Sequence, residues 1–97
     1  MDSKLKLFFK IRSAIKAKGI FQDDNNEQVV TWKLYNLLAY IDCRRNIEFI
    51  IGANLEVYYD YKKSLLVFQK GSLTELKAIQ RLFQKQQKIG KLLKIEA

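Results

Sequence analysis

Residues 47–70 read IEFIIGANLEVYYDYKKSLLVFQK. Apolar side chains occupy every second position of 47–59, and this period is typical of a strand that buries one face. We therefore predict a long strand over 47–59, which Gly52 bends or breaks. Residues 60–63 form a polar turn, and a second strand follows over 64–70. The centre of the chain is thus predicted to be a long β-hairpin.

Helical spacing flanks this hairpin on the N-terminal side. Apolar residues at helical intervals predict a first helix over residues 1–18, which Gly19 ends. Asp24 and Glu27 are spaced as a capping box, and a second helix is predicted from there to about Asp42. Its apolar stripe has the spacing i, i+4, i+7 and i+11 and consists of Val30, Leu34, Leu37 and Ile41.

A third helix is predicted after the hairpin. Ser72 and Glu75 form another capping box in front of the apolar helical pattern that starts at Leu73. Residues 89–95 form either a short strand or a continuation of this helix. The fold class is therefore α+β: an N-terminal helix, then helix–long β-hairpin–helix, with a short C-terminal tail. Residues 1–26 are the basic helix and a polar linker, and 27–97 are the α-β-β-α part.

Composition excludes several kinds of protein. The 97 residues fit one domain, and 48% hydrophobic with 29% charged residues is a globular balance. There is no His, and Cys43 is the single cysteine, so a catalytic triad, a cysteine-based zinc site and an internal disulfide are excluded. We predict no catalytic residue, no metal ligand and no cofactor. No stretch is apolar enough to span a bilayer, so no membrane partner is predicted.

The net charge of +8 indicates a polyanionic partner. The positive charge lies in residues 1–20 and 61–97, whereas the residues between them are slightly acidic. Residues 1–18 have the charge of a retained basic helix or of an organellar presequence, and Asp2 favours the helix. We expect an intracellular protein, from a mitochondrion or another organelle, or from phage or prokaryotic cytoplasm.

Residues 37–47, LLAYIDCRRNI, resemble the signature segment of the LAGLIDADG homing endonucleases. The resemblance extends over about residues 32–91 and includes the hairpin, the Gln69-Lys70 pair at its end, the third helix and the Lys88–Lys91 stretch. It implies a half LAGLIDADG-like unit in which the signature segment is a helix. Ala39 takes the position of the small residue that permits close helix packing.

The same resemblance implies that the protein does not cleave nucleic acid. Asp42 matches the first acidic position of the signature, but Arg44 stands where the family has its metal-binding carboxylate, and Arg45 where it has Gly. An arginine does not ligate Mg²⁺, so two-metal phosphodiester cleavage lacks its first ligand. We therefore expect a non-catalytic remnant of a homing endonuclease, a family that mobile genetic elements encode.

Nine basic residues are the candidate nucleic-acid contacts: Arg44, Arg45, Lys62, Lys63, Lys77, Arg81, Lys85, Lys88 and Lys91. The two arginines follow the predicted second helix, where they either cap it or contact phosphate. Lys62 and Lys63 lie at the hairpin tip. The last five recur on one helix face, which is either a solvated surface or a phosphate-binding ridge. A looser basic ridge is predicted on the first helix, formed by Lys4, Lys10, Arg12, Lys16 and Lys18.

We expect binding to structured RNA or a ribonucleoprotein, such as a ribosome, in preference to DNA. The polar face of the predicted strand offers Glu48, Asn54 and Glu56, and the two carboxylates would repel a phosphate-lined groove. A half-unit would also expose apolar surface, so a protein partner or a homodimer is expected. Two alternatives stay open: an interaction protein or inhibitor that docks on an acidic protein, and a DNA endonuclease that acts as a dimer.

Overall fold

Antiparallel strands, each paired with its neighbour in the chain, form the centre of the protein. The computed structural model describes residues 2–22 and 29–96, with side chains described as far as residue 85. Within these ranges, six strands form one sheet in the order β1-β2-β3-β4-β5-β6. The elements are α1 (Ser3–Lys18), β1 (Ile20–Gln22), β2 (Val29–Leu34), β3 (Leu37–Asp42), β4 (Ile47–Ile51), β5 (Glu56–Asp60), β6 (Leu65–Lys70) and α2 (Leu73–Glu96). The α+β class, with a helix at each end of the chain, is confirmed.

The helix predicted from Glu27 to Asp42 is wrong. Its described residues form β2 and β3, which pair from Val29↔Asp42 to Leu34↔Leu37 around a two-residue turn. The apolar spacing fits both periods, and the β-branched and aromatic residues of VVTW favour strands. The resemblance had implied the same helix, so Ala39 packs in the sheet rather than between helices.

The strand predicted over 47–59 is two strands, β4 and β5, joined by the turn 52–55. The Gly52 N–H donates to the Leu55 carbonyl at 2.7 Å and closes that turn. β4 and β5 pair from Ile47↔Asp60 to Ile51↔Glu56, which reverses the phase of the alternation. Glu48 and Val57 therefore both face the helices. The predicted single strand over 47–59 had instead put Glu48 on the polar face, opposite to Val57.

Both helices pack on one face of the sheet. Asp2 caps α1, since its side chain accepts from the Lys4 N–H at 2.9 Å. α2 continues to Glu96, so the helical alternative for residues 89–95 is confirmed. The buried core joins α1, α2 and three central strands, and comprises Leu7, Phe8, Ile11, Ile15, Leu37, Ala39, Ile50, Leu55, Val57 and Leu76. The segment 1–26 thus contributes α1 to the same core as the sheet.

Candidate nucleic-acid interface

A groove of about 370 Å³ runs between α1 and α2. Leu7 lies in the groove, and its side chain is nearly buried in the core beneath it. The remaining lining side chains are polar or basic and come from both helices: Ser3, Lys6, Lys10, Lys77, Gln80 and Arg81. We call this feature the α1–α2 groove. It exists because α1 and α2 contact each other while both bury their apolar stripes against the sheet.

Helical periodicity places the four cations of the groove. Lys6 and Lys10 are four residues apart on α1, and Lys77 and Arg81 are four residues apart on α2. Residues four apart lie on one helix face, so each helix presents a pair of cations to the groove. All four residues are exposed. The structure therefore brings two of the five residues of the predicted α2 ridge, Lys77 and Arg81, together with Lys10 of the α1 ridge.

No carboxylate neutralises these cations within residues 2–22 and 29–85. The lining contains no Asp or Glu, and none of the four cations takes part in an ion pair there. Four like charges around one groove repel one another, and a polyanion would relieve that repulsion. Phosphate oxygens also suit the donors present, three ammonium groups and one guanidinium.

Two cations of the predicted α1 ridge point to the sheet instead. Arg12 Nη1 donates to both carboxylate oxygens of Glu48, at 3.0 and 2.9 Å, and Lys16 Nζ lies 3.6 Å from Glu48 Oε2. The Tyr61 hydroxyl donates to Glu48 Oε1 at 2.6 Å. Arg12 and Lys16 are therefore structural residues, and their place in the predicted basic ridge is wrong.

Burial changes the titration of this cluster. Desolvation lowers the pKa of Lys16, although the nearby Glu48 carboxylate acts in the opposite direction. Desolvation, together with the hydrogen bond to Glu48, raises the pKa of Tyr61 to about 12. Lys16 Nζ also lies 4.8 Å from the centre of the Trp32 ring. These contacts join α1 to β2 and β4.

The four predicted contacts at the hairpin turns lie together at one end of the sheet. Arg44 and Arg45 are in the β3–β4 turn, and Lys62 and Lys63 are in the β5–β6 turn. The Tyr61 N–H donates to the Asn46 carbonyl at 3.2 Å and connects the two turns. We call these four residues the hairpin-end cluster. They do not follow a helix, so the prediction that the two arginines cap one is wrong.

Acidic side chains next to the hairpin-end cluster reduce its positive charge. Arg45 Nε donates to Asp42 Oδ2 at 2.6 Å, which lowers the pKa of Asp42 and raises that of Arg45. Asp60 Oδ1 accepts from the backbone N–H groups of Lys62 and Lys63. The lining of the α1–α2 groove has no such acid, so its positive charge is less neutralised than that of the hairpin-end cluster.

The other predicted contacts continue along α2. Lys85 is exposed, one turn beyond Arg81, and does not line the groove. The side chains of Lys88 and Lys91 lie outside the part that the structure describes. Prediction from sequence missed Lys6 and Gln80. The spacing of four residues between Lys6 and Lys10 was the available signal, but the pairing of α1 with α2 was needed to use it.

A second cavity, of about 590 Å³, lies beside the β4–β5 turn and the start of α2. It is lined mainly by small, amide and apolar residues, and its charged lining residues are Lys70 and Glu75. Lys70 Nζ donates to the Ala53 carbonyl at 2.9 Å. Because a lysine and a glutamate balance each other here, this cavity lacks the excess positive charge of the α1–α2 groove.

Comparison of the chain with known proteins gives no relative: no family model, no curated protein and no solved structure matches it. Kinship with the LAGLIDADG family thus stays a prediction. Among the described residues, no three acidic, His or Cys side chains gather in a way that could hold a metal ion. Across that same part of the chain, neither helix is long and apolar enough to cross a membrane.

Proposed function

We propose that this protein binds nucleic acid without cleaving it, and that the phosphate backbone lies in the α1–α2 groove. The observation that supports this most directly is the meeting of Lys6, Lys10, Lys77 and Arg81 around one groove without a carboxylate. Phosphate contacts of this kind supply most of the affinity in non-specific nucleic-acid binding. The net charge of +8 also attracts a polyanion such as nucleic acid.

Structured RNA is the ligand that we favour over duplex DNA. The groove offers cations and one amide, Gln80, which is little with which to read base edges in a major groove. Double-stranded RNA is recognised mostly by its shape and through phosphate and 2′-hydroxyl contacts, and such recognition needs few base-specific groups. Descent from a LAGLIDADG-type remnant, and a place in a ribonucleoprotein, belong to the same proposal.

The test is a binding titration of the full chain with a stem-loop RNA and with duplex DNA of equal length, at low and at moderate salt. The double variant Lys77→Glu, Arg81→Glu should weaken RNA binding at least about tenfold, because it replaces two cations of the groove with acids. The paired variant Lys62→Glu, Lys63→Glu makes the same charge change in the hairpin-end cluster.

Each result of this titration has a defined meaning. Loss of binding in the groove variant and near-normal binding in the hairpin-end variant would support the groove. Loss confined to the hairpin-end variant would place the interface at the sheet end instead. Absence of RNA and DNA binding at low salt would contradict the proposal as a whole, and DNA affinity above RNA affinity would contradict the choice of RNA.

A plasmid assay tests the non-catalytic part of the proposal. Arg44 occupies the position that the resemblance assigns to the metal-binding carboxylate, so supercoiled DNA should stay intact with the protein and Mg²⁺. Nicking that depends on Mg²⁺ would favour the endonuclease alternative.

A further inference from the structure

The sheet has an outer face, which we define as the face opposite the two helices. Strand register assigns its side chains to three rows across the sheet. The rows are Val29, Asp42, Ile47, Asp60 and Leu65; Gln22, Thr31, Tyr40, Phe49, Tyr58 and Val67; and Ile20, Lys33, Leu38, Ile51 and Glu56. Among the described residues, none of these side chains belongs to the core cluster beneath the helices, although Phe49 and Thr31 are themselves buried.

The outer face is unusually apolar for a surface. In β4 the outward residues Ile47, Phe49 and Ile51 are all apolar, while Glu48 points inward. A sheet with one solvated face normally shows the opposite alternation, and strands apolar on both faces are typical of sheets covered on both sides. A contiguous, partly exposed apolar surface of this kind is a candidate interaction site.

An aromatic ladder forms the middle of the outer face. The rings of Tyr40 and Phe49 stack with their centroids 4.4 Å apart and their planes within 8°. Tyr58 lies on the other side of Phe49, at 5.2 Å, and Phe49 is only 8% exposed. Because the rings cover each other's faces, they offer little ring surface for a nucleic-acid base to stack on. The carboxylates of this face also disfavour a phosphate backbone, so a protein is the better occupant.

We propose that the outer face binds a second copy of this chain, as the two layers of a β-sandwich. Lys33 on β2 and Glu56 on β5 lie in one row, with Leu38 and Ile51 between them. In this dimer the two outer faces meet, and the two-fold axis lies between them, parallel to the strands and level with the gap between β3 and β4. Rotation about this axis places β2 of one copy over β5 of the other. Lys33 then faces Glu56 of the second copy, twice by symmetry.

The same axis matches the apolar residues of the two copies. Leu38 of each copy faces Ile51 of the other, and Tyr40 faces Phe49. An axis perpendicular to the strands would instead place Glu56 against Asp60, which like charges disfavour. Of these two arrangements, the axis parallel to the strands avoids that like-charge contact. In the row nearest the turns it places Asp42 against Ile47 and Asp60 against Val29, and each aspartate also accepts hydrogen bonds from its own turn.

The size of the face indicates how stable such a dimer would be. Strands about 4.8 Å apart and about 17 Å long give a face of modest area, and pairing two of them would bury on the order of 1,000 Å². That area is at the low end for specific interfaces, so we expect a dissociation constant in the micromolar range. Both α1–α2 grooves would stay on the outside of the sandwich, so the dimer does not depend on the proposed RNA binding.

The test is sedimentation equilibrium of the full chain from low micromolar to several hundred micromolar concentration. We expect a reversible monomer–dimer equilibrium. Lys33→Glu and Glu56→Lys should each weaken the dimer about tenfold, since each places like charges opposite one another. The double variant Lys33→Glu, Glu56→Lys should restore the dimer to within about twofold of the wild type, because it exchanges the two charges.

Lys18→Glu is the matched control, since it makes the same charge change on α1, away from the outer face, and should leave the dimer intact. Circular dichroism and thermal unfolding check that each variant folds. A monomer at every concentration would overturn the proposal, as would single variants without effect or a double variant that folds but does not recover. Photocrosslinking of single-stranded RNA to Tyr58 would overturn the choice of a protein occupant. RNA binding that survives in a monomeric variant would leave the groove proposal standing.

Discussion

The Glu48 carboxylate accepts two hydrogen bonds from Arg12 Nη1, at 3.0 and 2.9 Å, and so joins the centre of the sheet to α1. Glu48 is 6% exposed, and Arg12 is partly buried. A carboxylate buried on the helix face of a sheet is stable there only when cations and other donors satisfy it. Arg12, Lys16 and Tyr61 supply them.

Replacing Glu48 with Gln should destabilise the protein by about 2 kcal/mol, because Arg12 and Lys16 would be left as neighbouring cations without a counter-charge. The melting temperature should fall by roughly 10 °C for a chain of this size. Asp42→Asn breaks the pair with Arg45, whose side chain is largely exposed, and should have a much smaller effect. Urea unfolding measures both variants. Equal losses in the two would contradict the structural role of the Glu48 cluster.

Stability should decline in alkaline solution between about pH 10 and about pH 12, because the pKa of Tyr61 is raised to about 12 in the folded protein. The unfolded chain loses the Tyr61 proton first, near the ordinary tyrosine pKa of about 10, so rising pH favours unfolding in this window. Tyr61→Phe should be less stable than the wild type below the window, with a smaller decline across it.

Lys16 changes the stability with pH in the opposite direction to Tyr61, since burial lowers the pKa of Lys16. Stability from Lys16 therefore rises as pH passes from its lowered pKa to the ordinary value. Comparing the wild type with Tyr61→Phe in urea at each pH isolates the Tyr61 contribution. Parallel pH profiles for the two proteins would show that Tyr61 titrates normally.

Gly71 joins β6 to α2 with φ = 85°, a left-handed conformation that other residues rarely adopt. A Cβ at this position would lie 2.6 Å from Glu75 Oε2 and 2.7 Å from the Asn54 carbonyl oxygen. Gly71→Ala should therefore cost about 2 kcal/mol, from backbone strain and from displacement of these atoms. Gly52→Ala is the comparison, since its Cβ closely meets only the Leu37 side chain. Thermal unfolding should rank Gly71→Ala as the less stable.

Removing single cations from the α1–α2 groove should reduce the salt dependence of RNA binding. Lys6→Gln and Lys77→Gln should each lower the slope of log affinity against log salt by about one, because each would remove one of the proposed phosphate contacts. Lys18→Gln, outside the groove lining, should leave the slope unchanged. Fluorescence anisotropy at several salt concentrations gives these slopes. An equal change in all three variants would indicate diffuse attraction rather than a groove.

Local patterns were enough to predict the ends of the chain and the central strands. α1, the break at Gly52, β6 and the start of α2 follow from short-range spacing and from the glycines. The β2–β3 hairpin was missed because Val30, Leu34, Leu37 and Ile41 fit the helical period, although the two residues within each strand fit a period of two equally well. Long-range pairing between neighbouring strands decided the outcome.

For the candidate site, the sequence by itself determined which residues carry positive charge and how they recur along each helix. Lys77 and Arg81 share a face because of the helical repeat alone. Only the tertiary structure decided that Lys6 and Lys10 stand across from them and that Arg12 and Lys16 turn to Glu48. Helix spacing is a local property, whereas which two faces meet depends on how both helices bury their apolar stripes on one sheet.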